Sequence, residues 1–121
     1  MKLLAMAAVA LVAALHVFFL VLEVFLWDKP TGMKIFRTKP DFARESAPLM
    51  KNQGLYNGFL AAGLVWSLVT HDPGVALSLE TFFLGCVIVA GIVGAITAKW
   101  TILVFQAMPA DVALALVYAA R

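Results

Sequence analysis

Residues 3–27 form a single apolar run broken only by His16 and Glu23, and no other feature limits this chain's folding options as severely. A helix rising about 1.5 Å per residue needs about 20 such residues to cross a hydrocarbon core of about 30 Å. Lys2 ahead of this run gives it the look of a secretory signal, but the apolar stretch is too long for one, so cleavage is not expected. Three further runs occur, at about 54–69, 78–98 and 101–120. The last two are separated by Lys99, where a tight turn is expected because one uninterrupted helix would overshoot the bilayer. The expected fold is therefore all-α: an antiparallel four-helix bundle integral to a membrane, one domain over residues 1–121, with one long first loop at 28–51.

Composition closes the alternatives. Of the 121 residues, 64% are hydrophobic and 13% charged, whereas a soluble domain carries about 25% charged residues. A net charge of +2 is too small for a nucleic-acid footprint, so no nucleic-acid partner is expected. With one cysteine and no paired histidines at ligand spacing, neither a disulfide nor a metal site is expected, and nothing points to a cofactor.

The basic residues set an orientation. Lys29, Lys34, Arg37, Lys39, Arg44 and Lys51 lie in the first loop and Lys99 in the third, leaving only Lys2 and Arg121 for the other side. The positive-inside bias then places the first loop in the cytoplasm and both termini in the periplasm of a bacterial inner (plasma) membrane. Trp27 and Trp100 would stand at the cytoplasmic interface and Trp66 near the outer one. Pro30, Pro40 and Pro48 argue against a continuous helix through the loop.

Polar groups inside the spans fall at two depths. Glu23, Asn57 and Gln106 lie about 6–8 Å from the cytoplasmic ends of their runs, so three helices offer a hydrogen-bonding group to one layer. His16 and Asp111 lie deeper, about 15–17 Å in, where a carboxylate and an imidazole would neutralise each other. His16 and Glu23, seven residues apart, share one face of the first helix. Glu23, Asn52, Tyr56, Asn57 and Gln106 are thus candidate ligand-binding residues, with Arg44 and Lys51 as candidate headgroup contacts. The competing reading makes Asn57 and Gln106 interhelical glue, Glu23 an interfacial carboxylate, His16 a satisfied core residue and Asp111 the cap of a helix broken at Pro109. Pro109 should kink the last span by depriving the Phe105 carbonyl of its partner. Gly54 with Gly58, and Ala90, Gly94 and Ala98, are small-residue spacings that allow close helix packing within the chain or between copies. Glu80 is expected at the start of the third span.

Four stretches together resemble a known family: His16-Val17-Phe18-Phe19 with Glu23 and Trp27, residues 52–58, residues 83–91, and Gln106-Ala107-Met108-Pro109. They are similar to the domain-of-unknown-function 1304 family of small bacterial membrane proteins, which implies four inner-membrane spans and supplies no activity. A more distant likeness is to the membrane-associated eicosanoid and glutathione metabolism proteins, trimers of four-helix bundles. Asn52 and the Gln106–Pro109 pattern match that group, while Leu55 and Pro48 stand where its glutamate and arginine belong.

Three readings compete, the first favoured, the second its alternative and the third ranked last. The first is a non-catalytic subunit, assembly factor or lipid-binding module, with membrane lipids as partners and assembly as a homo-oligomer (a trimer among the options) or within a larger membrane complex. The second is a membrane enzyme or lipophile pocket open to the cytoplasmic leaflet on the glutathione-transferase-like fold, with its catalytic residues unknown. The third is transport through His16 and Asp111.

Overall fold

The computed structural model describes residues 1–121 and contains helices and turns with no strand. Five α-helices occur in chain order: α1 Lys2–Val24, α2 Pro30–Phe36, α3 Pro40–Val69, α4 Pro73–Thr97 and α5 Met108–Ala119, with a π-helical segment Leu103–Ala107 immediately before α5. Two of them, α1 and α4, combine the length and apolarity needed to cross a membrane; at about 34 and 37 Å they match a bilayer core with some tilt. The stretch Leu103–Ala119 is apolar but shorter.

The segment 28–51 is not the long loop that its prolines suggest. It holds all of α2 and the first turns of α3. Proline lacks an amide proton and has a fixed φ, which suits the first turn of a helix, and Pro30 and Pro40 begin α2 and α3 in this way. Pro48 lies inside α3, which continues past it to Val69. Arg37 closes α2 in the left-handed conformation, φ 56°, with its own amide and that of Thr38 both donating to the Met33 carbonyl. The third long helix likewise starts earlier than expected. Asp72 caps it by accepting from the amides of Gly74 and Val75 at 2.8 and 3.2 Å, so α4 begins at Pro73 and Glu80 lies two turns inside.

The turn at residues 98–100 is present. The backbone ahead of α5 does not adopt a simple proline kink. The Met108 amide donates to the Leu103 carbonyl, the i→i+5 bond of a π turn, and Pro109 then falls in the first turn of α5. Inserting the wider turn re-registers the backbone ahead of the residue that cannot donate.

The chain forms two compact units. One comprises residues 1–14 and 60–121. Its core is aliphatic, with Val9, Leu64, Leu84 and Val87 fully buried among Ala110, Ala113 and Val117. Leu84, Val87 and Gly91 are the buried line of α4, three and four residues apart. A Cβ at Gly91 would lie 2.6 Å from the Ala107 backbone nitrogen, so this glycine allows the π segment to close on α4. Outside the core, large apolar side chains face outward, among them Leu3, Phe82, Val89, Ile96 and Phe105.

The other unit is residues 15–59. Its core is Trp27 with Ala43 and Ala47, flanked by Met33, Phe36 and Met50. The Trp27 and Phe36 rings stand 4.7 Å apart. Trp27 is therefore a core residue, 7% exposed, because α2 and the start of α3 fold over it.

Candidate functional site

The polar groups of residues 15–59 are held by packing of α3 on the last turns of α1. Gly54 makes the approach close: a Cβ there would lie 2.6 Å from Val24 Cγ2 and 3.1 Å from the Glu23 Cβ, and one at Gly58 would meet the Leu20 side chain. The Gly54–Gly58 spacing thus serves packing within the chain. One turn further along α3, Asn57 Nδ2 donates to Glu23 Oε1 at 2.5 Å. Both side chains are half-buried.

Past the end of α1, Trp27 Nε1 donates to Ser46 Oγ at 2.8 Å, and Ser46 Oγ in turn donates to the Phe42 carbonyl at 2.6 Å. This relay ties the connection after α1 to α3. Sequence reasoning missed Ser46, whose role depends on a tryptophan nineteen positions away; a buried indole's need for an acceptor was the available signal. His16 is fully buried, with the Phe19 ring edge-on at 5.4 Å.

The remaining candidates are spread differently. Asn52 and Lys51 are exposed on α3, and Tyr56 is exposed with its ring 5.8 Å from Phe59. Arg44 pairs with Asp41 at 2.6 Å, both exposed. Gln106 is half-buried in the π segment and is engaged rather than free. Asp111 is exposed on α5. Chemically, Glu23 and Asn57 form a donor–acceptor pair through Oε1 and Nδ2 that joins α1 to α3.

Lys29, Lys34, Arg37, Lys39, Arg44 and Lys51 are all exposed in this unit, interspersed with exposed Ile35, Phe42 and Leu49. A second feature lies in the unit of residues 1–14 and 60–121: a cleft of about 640 Å³ bordered by Lys2, Glu80 and Arg121. Nothing in the sequence pattern signalled it, since its walls come from segments far apart in the chain.

The chain is similar to an uncharacterised protein, YpaA, of Lactococcus lactis subsp. lactis (strain IL1403), being 30% identical over 108 residues that cover 87% of this chain and 89% of the relative. No solved structure matches it. The model of DUF1304, described as a protein of unknown function, matches residues 10–118. With nine-tenths of its length inside that match, the chain belongs to the DUF1304 family.

Proposed function

We propose that this protein is a non-catalytic, lipid-binding integral membrane module whose residues 15–59 engage anionic headgroups. The observation that carries this reading is the exposed mixture of six cations with Ile35, Phe42 and Leu49 on α2, early α3 and the residues flanking them. Such a surface suits the headgroup boundary, where each Lys or Arg near anionic lipid contributes about 1 kcal/mol and the apolar side chains enter the acyl edge. The hydrogen bond from Asn57 to Glu23, made between α3 and α1, favours a structural junction over a general base in a pocket.

In this reading the apolar half of α3 and the stretch Leu103–Ala119 join α1 and α4 as spans, giving four in an inner (plasma) membrane. Residues 28–51 face the cytoplasm and both termini face the periplasm. The exposed apolar flanks of α4 meet lipid, a second copy or a partner subunit.

The test uses the full chain with Lys34, Arg37 and Lys39 changed to Gln, purified from membranes rich in phosphatidylglycerol. Retained phospholipid is measured by native mass spectrometry. The expected result is a several-fold drop in retained phosphatidylglycerol; equal retention overturns the reading. A Lys39→Cys variant lacking Cys86 should resist an impermeant maleimide in intact cells and react after permeabilisation.

A further inference from the structure

The cleft in the unit of residues 1–14 and 60–121 has a divided character. Its floor is apolar, built from Ala5 on α1, Leu77 on α4 and Val117 on α5. Its border carries two cationic side chains, Lys2 and Arg121, against one carboxylate, Glu80. Neither cation has an ion-pair partner, the protein's single salt bridge being Arg44–Asp41. Ser67, Thr70 and His71 also line the cleft, and the Ser67 hydroxyl donates to the Leu64 carbonyl at 2.6 Å.

Arg121 is positioned by more than its place in the chain. Its guanidinium lies 5.6 Å from the centre of the Tyr118 ring, and the Tyr118 hydroxyl is hydrogen-bonded to Thr81 Oγ1 at 2.8 Å. The link from α4 through Tyr118 holds a cation beside an apolar cavity whose volume is in the ordinary range for small-ligand sites.

We propose that this cleft binds an anionic amphiphile, with its carboxylate or phosphodiester head on Lys2 and Arg121 and its acyl chain along Ala5, Leu77 and Val117. The site goes beyond the headgroup surface proposed above and uses none of its cations. A single negative charge suits two cations offset by Glu80, and an acyl chain suits a floor with no hydrogen bonds to offer.

The experiment titrates the full chain in neutral detergent with oleate, phosphatidylglycerol, phosphatidylcholine and inorganic phosphate, followed by native mass spectrometry. Oleate or phosphatidylglycerol should bind, and the pair Lys2→Gln and Arg121→Gln should weaken that binding at least ten-fold. Which of the two binds tighter identifies the head as carboxylate or phosphodiester. Leu77→Trp should block the acyl chain, with circular dichroism confirming the fold; the exposed Gln pair carries the test if that variant does not fold. Added to the triple Gln variant at Lys34, Arg37 and Lys39, which retains less phosphatidylglycerol overall, the Lys2 and Arg121 substitutions should weaken the remaining binding by the same factor, so this site and the headgroup surface fail separately. Unchanged affinity in the Lys2 and Arg121 pair, phosphatidylcholine binding as tightly as phosphatidylglycerol, or phosphate binding as tightly as either amphiphile would overturn the proposal.

Discussion

The two units of this small protein are stabilised by different means. Residues 1–14 and 60–121 close on branched aliphatic side chains and alanines, and their one buried polar side chain, Ser67, bonds to its own helix. Residues 15–59 hold six of the nine Lys and Arg residues and close on one tryptophan and two small alanines. There, side-chain hydrogen bonds supplement the packing: Asn57 to Glu23, and Trp27 to Ser46. The aliphatic unit depends on volume, whereas the polar unit depends on partners. Dispersion contacts are individually weak and need a filled core, while a few directed bonds can fix a region too small to build one.

Substitutions that attack volume in one unit and partners in the other test this contrast. The largest loss is expected at Leu84, fully buried in the aliphatic core: Leu84→Ala should lower stability by about 2–5 kcal/mol in reversible unfolding from detergent micelles. Gly91→Ala comes next, at about 1–3 kcal/mol, because its new methyl meets the Ala107 backbone at 2.6 Å. In the polar unit, Asn57→Leu keeps the volume near α1 but removes the donor to Glu23, and about 0.6–2 kcal/mol should be lost in the same assay. If Asn57→Leu costs more than Leu84→Ala, the contrast is reversed. Arg44→Ala should leave the unfolding midpoint unchanged, since both members of the Arg44–Asp41 pair are exposed. A measurable shift there would show that the polar unit draws on surface ion pairs as well.

Much of the helical layout was legible. Apolar runs bounded by polar residues marked α1, the second half of α3 and α4, because the 3.6-residue repeat and the length of each run are local properties. Glu23 and Asn57 were assigned to one layer by counting residues along two helices, and the structure brings them into hydrogen-bond contact. The prolines were harder to read, because the same residue that breaks a helix interior also favours a first turn. Pro30 and Pro40 start helices, and only the surrounding packing decides between the two roles. In the small-residue spacing Ala90–Gly94–Ala98, Gly94 lies against Ile102, whose Cγ2 is 3.0 Å from where a Cβ would stand, while Ala90 and Ala98 are exposed and Gly91 makes the closer approach. Helical periodicity alone does not say which face meets a neighbour. Counting residues gives depth alone: it does not reveal that His16 is fully buried or that Asp111 is exposed, since depth along an axis leaves rotation about it undetermined.

The sequence by itself determined that the chain is helical, rich in apolar surface and asymmetric in its basic residues, because composition, run length and charge are carried residue by residue. Tertiary structure decided what only neighbours can settle. It buried Trp27 under α2, inserted a π turn opposite Gly91, and assembled a cleft from the ends of helices remote in sequence. These outcomes depend on which faces meet and at what distance, and a linear pattern fixes neither.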